Sequence, residues 1–430
     1  MNNFQNKIEL SNEQKVIFYL MENTNKNLFI TGKAGTGKSF LLKFFKENTN
    51  KRVLYTAPTG MAAINIEGVT IHSAFGFDNL KDGNNYFKLG FNQKELLRNL
   101  EVLVIDEISM VRVDIFEQVD KILKFVNRNN LAFGGKQVII FGDIFQLPPV
   151  VKEGREREYF DEKYGGYYFF NSNAYKNANF ECYELNIIHR QTDKTFIDIL
   201  NNVREGNLSE KDAKLLNQHY INQVPNNIIQ LVPKKDISIR INNNNLRKIN
   251  SKAYLYRAEI KAGHNINEKD YRCDFNLTLK VGALIMMIAN DNEQKRWVNG
   301  SRGIVTELTD NYIKVKIDGV EYTVEKFNFI KHKCLYNKEK KRIDYLVESC
   351  VSQYPLILAY AVTIHKAQGM TCPEVVCDLE ECFAPGQSYV ALSRCVSFDK
   401  LYLVHKITPN VIIVSSIIIE FYNSQIRRVA

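Results

Sequence analysis

The sequence lacks a hydrophobic run that could cross a membrane, and it lacks the pattern of a signal peptide. Its densest apolar stretch, residues 411–419, is short and is interrupted by Ser415 and Ser416, whereas a membrane-spanning helix needs about 20 apolar residues. The first ten residues mix Asn, Gln, Lys and Glu without an apolar core. These absences predict a protein of the cytosol or of an organelle, with no membrane partner.

The chain also lacks the close cysteine spacing of a zinc site. Eight cysteines are scattered along it, and the closest group, Cys372, Cys377 and Cys382, is spaced too widely for a CxxC motif. No repeat of fixed period is present. Free and mostly packed thiols in a reducing compartment are therefore expected.

What the chain contains is the composition of a folded protein with a modest positive charge. Its 430 residues suffice for about two or three domains of ordinary size. A hydrophobic fraction of 45% and a charged fraction of 24% exclude a disordered, collagen-like or coiled-coil chain. The net charge of +9 suits a polyanionic partner, although solubility alone would also explain it.

Strand and helix patterns alternate in the first part of the chain. Short apolar runs predict buried strands at residues 28–31, 53–55, 102–105 and 137–141. Apolar residues at helical spacing predict helices between them, as at residues 115–126. Such alternation is typical of an α/β fold with a parallel sheet and right-handed crossovers.

The pattern changes after about residue 185 and becomes β-rich from about residue 251. The α/β pattern returns from Tyr354. The simplest architecture is a pair of α/β domains with a small barrel or sandwich inserted in the second. The predicted boundaries are 1–185 for the first domain, 186–250 with 351–430 for the second domain, and 251–350 for the β-rich insertion.

A glycine-rich loop between a predicted strand and a predicted helix fits the pattern G-x-x-x-x-G-K-[ST] at residues 32–39. Glycine lets the loop bend tightly enough for its backbone N–H groups to approach phosphates, and the following helix N-terminus adds positive potential. We expect Lys38 to reach the β- and γ-phosphates of ATP and Ser39 to ligate Mg²⁺. The nucleotide-binding candidates in this loop are Gly32, Ala34, Gly35, Thr36, Gly37, Lys38 and Ser39.

Two carboxylates end the predicted strand at residues 102–105. Asp106 is a candidate for holding the magnesium ion, and Glu107 is a candidate for orienting or deprotonating the attacking water. An acidic strand end by itself is often only a solvated edge. Combined with the phosphate loop, it indicates an ATPase, because ATP hydrolysis needs both halves.

Gln146 follows another predicted strand and precedes Pro148 and Pro149. An amide near the γ-phosphate can report phosphate occupancy through hydrogen bonds without adding charge. A plain turn that two prolines terminate is the alternative.

The phosphate loop, residues 106–110 and residues 142–149 together resemble the motifs of superfamily-one DNA helicases. Five further segments resemble those of the PIF-one branch of that superfamily, and they lie at residues 57–63 with 70–73, 189–191, 298–303, 363–369 and 389–394. The set follows the family's order from about residue 11 to residue 404. The resemblance implies two RecA-like domains, with a small strand-separating element near residues 64–80.

The resemblance also implies roles in the ATP site for residues outside the phosphate loop. Arg190 and Arg394 would stabilise the transferring phosphoryl group from the second domain, so domain closure would be a condition for hydrolysis. Gln14 would read adenine, although Ser11 to Gln14 also has the pattern of a capping box. Gly369 lies in the last-but-one motif and is a nucleotide-binding candidate.

DNA contacts are implied for both α/β domains. Hydroxyls, backbone N–H groups and one lysine would bind the sugar–phosphate strand without reading its sequence. The two candidate histidines, His72 and His365, could instead be interior residues, and neither has Cys or His neighbours at zinc spacing. The candidates are Pro58, Thr59, Gly60, His72 and Ser73 in the first domain and Thr363, His365 and Lys366 in the second.

These observations together predict an ATP- and Mg²⁺-dependent DNA helicase that moves 5′→3′ on single-stranded DNA, with the polarity implied by the resemblance alone. A cytoplasmic monomer is expected, without a nuclear or mitochondrial targeting segment. The preferred substrate stays open among DNA forks, RNA–DNA hybrids and G-quadruplexes. A RecD-type or transposon-derived helicase, or a DNA-binding module that ATP only switches, are the alternatives.

Overall fold

The computed structural model describes residues 9–77, 89–225, 227–263, 266–291 and 293–428. Within these ranges, the helices are too short or too polar to cross a bilayer. The described elements form two parallel β-sheets with flanking helices and a set of antiparallel sheets between them in sequence.

Residues 9–185 alternate helices and strands as the sequence pattern predicts. The elements are α1 (Asn12–Asn23), β1 (Leu28–Gly32), α2 (Lys38–Asn48), β2 (Val53–Ala57), α3 (Gly60–Asn65), β3 (Val69–Thr70), α4 (Ile71–Phe75), α5 (Phe91–Asn99), β4 (Val102–Ile105), α6 (Val113–Asn127), β5 (Gln137–Phe141), α7 (Arg155–Tyr164), α8 (Asn173–Asn177) and β6 (Glu181–Leu185).

The middle of the chain begins with helices and continues with antiparallel strands. Its elements are α9 (Lys194–Glu205), α10 (Glu210–Asn217), β7 (Gln230–Val232), α11 (Lys235–Lys248), β8 (Ala253–Arg257), β9 (Glu259–Ala262), β10 (Asn276–Lys280), β11 (Leu284–Met287), β12 (Arg302–Leu308), β13 (Ile313–Ile317), β14 (Val320–Val324), β15 (Phe327–Asn337), β16 (Arg342–Gln353) and β17 (Leu356–Leu358).

The α/β pattern then returns to the end of the described chain. The elements are β18 (Ala361–Thr363), β19 (Val375–Cys377), α12 (Gln387–Leu392), β20 (Leu401–Leu403), α13 (Ser416–Gln425) and β21 (Arg427–Arg428).

A seven-stranded parallel sheet, in the order β21-β6-β1-β5-β4-β2-β3, organises what we call the first lobe. Every residue of β1, β2, β4 and β5 is buried, because helices cover both faces of the sheet and each face needs apolar side chains. The carboxyl ends of these strands therefore share one edge, where the phosphate loop follows β1 and the two carboxylates follow β4.

A smaller parallel sheet, in the order β18-β7-β19-β20, organises the second lobe together with α9 to α12. Two parallel sheets of this kind confirm the predicted fold class. The antiparallel sheets of β8 to β17 form the β-rich insertion between β7 and β18, and the largest of them has the order β14-β13-β12-β11-β17.

The structure corrects the predicted end of the insertion, since β16 runs to Gln353 and β17 also belongs to it. Ile357 of β17 pairs antiparallel with Met286 of β11. The apolar run at residues 356–358 suggested a parallel strand of the second domain because a buried strand has the same composition in either sheet.

The structure also corrects the assignment of residues 351–430 to the second domain. The last helix packs on the first lobe, where Phe421 stacks on Phe170 with ring centroids 4.1 Å apart and Ile418 joins the apolar core. Arg427 of β21 then pairs with Tyr183 of β6. The rest of the predicted domain boundaries stay a prediction.

The insertion contacts the first lobe through two segments. In the β15–β16 hairpin, Tyr345 accepts a hydrogen bond at its hydroxyl from the Tyr55 N–H at 3.2 Å. Arg272, which precedes β10, donates to the Met61 carbonyl at 2.8 Å. Of the strand-separating element predicted near residues 64–80, the part up to Phe77 contains β3 and α4, and residues 78–80 lie outside the described residues.

Candidate functional site

The phosphate loop has the backbone conformation that only glycine adopts easily. Gly35 and Gly37 both have φ of +84°. A Cβ atom at Gly35 would lie 2.6 Å from the Cβ of Arg190, and one at Gly37 would lie 2.7 Å from Nε2 of Gln14. Both glycines are therefore required by conformation and by the close approach of two other candidate site residues.

Lys38 lies at the start of α2 and folds back over the loop. Its Nζ donates to the Gly32 carbonyl at 2.6 Å and to the Lys33 carbonyl at 3.0 Å. Burial lowers the pKa of Lys38, while the nearby carboxylates of Asp143 and Glu107 act in the opposite direction. The ammonium group is thus held among carbonyls and carboxylates at the mouth of the loop.

Other atoms of the loop are fixed by local bonds or by the second lobe. The buried Thr36 hydroxyl donates to the Lys33 carbonyl at 2.9 Å. The Ala34 N–H donates to the hydroxyl of Tyr389, which belongs to α12, at 2.8 Å. Ser39, by contrast, is exposed.

Asp106 and Glu107 follow β4 and face the same cleft as Ser39. Glu107 has a φ of +50°, which turns the chain immediately after the strand. Burial raises the pKa of both carboxyl groups, and for Asp106 the neighbouring Glu107 adds to the shift. All three residues line one cavity of about 1810 Å³ between the lobes.

An amide from the second lobe bridges two of the predicted catalytic residues. Gln368 donates from Nε2 to Oε2 of Glu107 at 2.9 Å and to Oε1 of Gln146 at 3.4 Å. Gln146 itself is 7% exposed. The two side chains that were expected to handle water and phosphate are therefore within one hydrogen-bonded group.

Both candidate arginines lie beside the first lobe. Arg394 is 2% exposed, and its guanidinium donates to the carbonyls of Val390 at 2.8 Å and Met370 at 3.3 Å. Arg190 donates to the Ser393 carbonyl at 3.0 Å. Burial lowers the pKa of each arginine, and the charge of Arg394 lowers that of Arg190 further. Like charges placed this close favour an anion between or beside them.

Gln14 forms the capping box that its sequence pattern predicts, and its role in reading adenine stays a prediction. Its Oε1 accepts from the Ser11 N–H at 3.0 Å, and the Ser11 hydroxyl accepts from the Gln14 N–H at 3.3 Å, so the capping box is formed. The other end of the same amide lies against Gly37. A structural cap and a position beside the nucleotide loop are thus compatible.

The oxygen atoms available here suit Mg²⁺ better than a metal site in which the protein supplies three or more ligands. Among the residues that the structure describes, no group of three or more His, Cys, Asp or Glu side chains could hold a metal ion. Ser39 and Asp106 offer a hydroxyl and a carboxylate oxygen in one cavity. Mg²⁺ is commonly held by one or two such oxygens together with phosphates and water, so these residues fit it.

The DNA-binding candidates of the first lobe lie around the loop after β2 and around α4. Pro58, Thr59 and His72 line a cavity of about 400 Å³. The Thr59 hydroxyl accepts from the Ala62 N–H and caps α3, and Ser73 is half-buried on α4. Gly60 is packed so closely that a Cβ atom there would lie 2.9 Å from the carbonyl oxygen of Asp270 in the insertion.

The candidates of the second lobe line a different space. Lys366 and Gly369 are exposed and lie in the large cavity that also contains the two carboxylates. Thr363 is buried at the end of β18, where its hydroxyl accepts from the Lys366 N–H at 3.3 Å. His365 stacks on Phe383 at a centroid distance of 6.3 Å. Lys366 therefore lines a different cavity from the first-lobe candidates Pro58, Thr59 and His72.

Sequence reasoning missed four residues of this region. Gln368 lies within the motif at residues 363–369, so a role for its amide could have been predicted. Asp143 also lay within one, and its carboxylate accepts from the buried guanidinium of Arg204 at 3.1 Å. Arg204 interrupts the apolar face of α9, which is a signal for a buried charge. Nothing in the sequence predicts that the Tyr389 hydroxyl accepts a hydrogen bond from the Ala34 N–H.

A family model for PIF1-like helicases matches residues 9–214, and a model for the 2B domain of DNA helicase Pif1 matches residues 274–308. The ATP-dependent DNA helicase Pif1 of Bdellovibrio bacteriovorus is 33% identical over 433 residues, which cover 97% of this chain and 92% of that protein. The chain belongs to the PIF1-like helicase family. The resemblance inferred from the motifs is thereby confirmed.

Solved PIF1 structures share the whole fold. A Pif1 from Bacteroides sp in complex with ADP-AlF4 has a TM-score of 0.88 at 36% identity, covering 98% of this chain and 100% of that chain. Bacteroides Pif1 bound to ssDNA has a TM-score of 0.70 at the same identity and coverage. An unliganded Pif1 from Bacteroides sp has a TM-score of 0.86, so the present arrangement is more similar to these two structures without ssDNA than to the ssDNA complex.

Proposed function

We propose that this protein moves 5′→3′ along single-stranded DNA and separates the strands of a duplex as it moves. The chain is an ATP-dependent DNA helicase of the PIF1 family, and the direction of movement is the proposed part. One observation supports the ATP-driven mechanism above the others. Two residues of the second lobe, Arg190 and Tyr389, contact the phosphate loop of the first lobe.

In this mechanism, the first lobe holds the phosphates and the second lobe completes the site. Lys38 is the cation nearest the transferring phosphate, and Glu107 takes the proton of the attacking water. Gln146 senses phosphate occupancy through the amide of Gln368. Arg190 and Arg394 stabilise the charge that develops on the phosphoryl group.

The loop backbone and Gln14 bind and orient ATP. The N–H groups of residues 32–39 and the positive end of α2 cradle the phosphates, while Gln14 pairs with adenine beside Gly37. From the second lobe, Gly369 lines the cavity that also contains Ser39 and Asp106. Ser39 and Asp106 would hold Mg²⁺, which neutralises phosphate charge when it is bound.

Strand binding is proposed for the two separate surfaces described above. Pro58, Thr59, Gly60, His72 and Ser73 contact the strand from the first lobe, and Thr363, His365 and Lys366 contact it from the second. Backbone amides, hydroxyls and one lysine grip phosphates without reading bases. Closure and opening of the lobes during each ATP cycle then shift one grip relative to the other.

The same chemistry supports further substrates. Because the proposed contacts are to the backbone, we include RNA–DNA hybrids and G-quadruplexes beside DNA forks as candidate substrates. A monomer is the proposed active unit, since one chain supplies the phosphate loop, both carboxylates and both arginines. The cytoplasmic location inferred from the sequence stays a prediction.

ATP turnover with and without single-stranded DNA tests this function, with Lys38→Ala as the inactive control. A helicase motor is expected to hydrolyse ATP several-fold faster when a strand is bound. ATP binding without turnover would instead indicate a DNA-binding module that ATP only switches. A panel of tailed duplexes, hybrids and quadruplexes would then rank the substrates.

A further inference from the structure

Tyr389 makes a buried contact between the lobes that has no role in the mechanism proposed above. Its hydroxyl accepts a hydrogen bond from the Ala34 N–H at 2.8 Å, and the residue is 3% exposed. Ala34 belongs to the phosphate loop of the first lobe, whereas Tyr389 lies on α12 of the second lobe. A single hydroxyl therefore joins the nucleotide loop to the helix that ends two residues before Arg394.

The contact closes a ring of hydrogen bonds between the lobes. The His189 N–H donates to the Gly35 carbonyl at 2.8 Å. Arg190, the next residue, donates to the Ser393 carbonyl at 3.0 Å. Ser393 follows α12, and Tyr389 on α12 returns to Ala34. Both candidate arginines are thus connected to the phosphate loop through the same short segment.

Close packing seats α12 on the first lobe. Gly386, the residue before the helix, has a φ of +73°. A Cβ atom there would lie 2.2 Å from the carbonyl oxygen of Phe145 and 2.7 Å from that of Gln146. The helix therefore lies directly on the loop that contains the predicted phosphate sensor, and a small movement of α12 would move the arginine that follows it.

We infer that the Tyr389 hydroxyl is a positioning group for ATP hydrolysis, which fixes α12 on the phosphate loop and thereby places Arg394 against the transferring phosphate. This inference rests on the proposed ATPase function. Tyr389 takes no part in proton transfer. Its contribution is geometric, since it holds Arg394 in place. A displacement of about 1 Å in a reacting group can lower the rate by about 100-fold.

Tyr389→Phe tests this inference, because the substitution removes one oxygen and keeps the ring in the core. We expect kcat with single-stranded DNA to fall by about 10- to 100-fold, while KM for ATP changes by less than about threefold. Tyr402→Phe is the matched control. Its hydroxyl donates to Glu374 at 3.2 Å on the outer side of the same lobe, so its turnover should match the wild type.

A double substitution separates positioning from a merely structural role. In an Arg394→Ala background, Tyr389→Phe should have no further effect on kcat, because both residues act on the same step. Thermal melting must show both single variants folded at the assay temperature. Wild-type turnover by folded Tyr389→Phe, or losses that multiply in the double variant, would overturn the inference. If the wild-type chain hydrolyses no ATP, the proposed function itself fails.

Discussion

Arg204→Met is expected to destabilise the protein by about 3–5 kcal/mol, although Arg204 lies in none of the quoted motifs. The Arg204 and Asp143 side chains are both 0% exposed, and Nη2 lies 3.1 Å from Oδ1. Nε of Arg204 donates to the same oxygen at 3.2 Å. Removing one partner of a buried ion pair leaves the other charge desolvated and uncompensated, which costs about that much.

A second carboxylate makes the loss more severe. Glu184 of β6 lies 3.6 Å from Nη2 of Arg204, and it accepts a hydrogen bond from the Tyr422 hydroxyl at 2.7 Å. The guanidinium also lies over the ring of Phe145, 4.2 Å from its centroid. Arg204 thus joins α9, the end of β6 and the C-terminal helix, so its loss should loosen all three.

The charge explanation is tested by neutralising Arg204 together with Asp143, the nearer of its two buried carboxylates. In Asp143→Asn/Arg204→Met, no unpaired carboxylate is left at position 143, so the double variant should be at least about 2 kcal/mol more stable than Arg204→Met alone. Urea-induced unfolding, followed by far-UV circular dichroism, measures these differences. An equal or larger loss in the double variant would refute the reasoning.

A surface pair provides the matched control for that experiment. Lys43 and Glu47 lie 3.8 Å apart on α2, with side chains 76% and 59% exposed. Because water and salt screen such a pair, Lys43→Met should cost less than about 0.5 kcal/mol. A loss comparable with that of Arg204→Met would mean that burial does not explain the difference.

Three further predictions concern the site itself. Glu107→Gln should keep ATP binding and lose at least about 100-fold in kcat, and turnover near the wild-type rate would show that Glu107 is not the base. Burial raises the pKa of Asp106 in the absence of a metal ion, and Mg²⁺ binds the ionised carboxylate, so the affinity for Mg²⁺ should fall with decreasing pH well above the ordinary carboxyl range near 4, and an affinity that is unchanged down to about pH 4.5 would contradict this. Lys366→Ala should reduce the slope of log affinity against log salt for single-stranded DNA by about 0.7, and an unchanged slope would exclude a phosphate contact.

The sequence predicts those parts of the site whose geometry is local. The loop at residues 32–39 lies between one strand and one helix, so its spacing and glycines determine its conformation. Asp106 and Glu107 follow from the buried strand that precedes them. The carboxyl ends of parallel strands share an edge, which is why these groups meet without any knowledge of long-range contacts.

The rest depends on pairings between distant residues. Arg204 finds Asp143 and Glu184 only after the two lobes are assembled, and Tyr389 lies 355 positions from Ala34. Residues 356–358 form a run of apolar residues that suits either sheet, so the partner strand and not the composition decides. The same limit applies to the last helix, whose apolar face does not specify which lobe it covers.

Unwinding of a labelled duplex with either a 5′ or a 3′ single-stranded tail tests the central claim most directly. With ATP and Mg²⁺, the wild-type chain should separate the 5′-tailed duplex and leave the 3′-tailed duplex intact, while Lys38→Ala should separate neither. Efficient unwinding of the 3′-tailed duplex, or separation of either duplex by Lys38→Ala, would contradict an ATP-driven 5′→3′ motor.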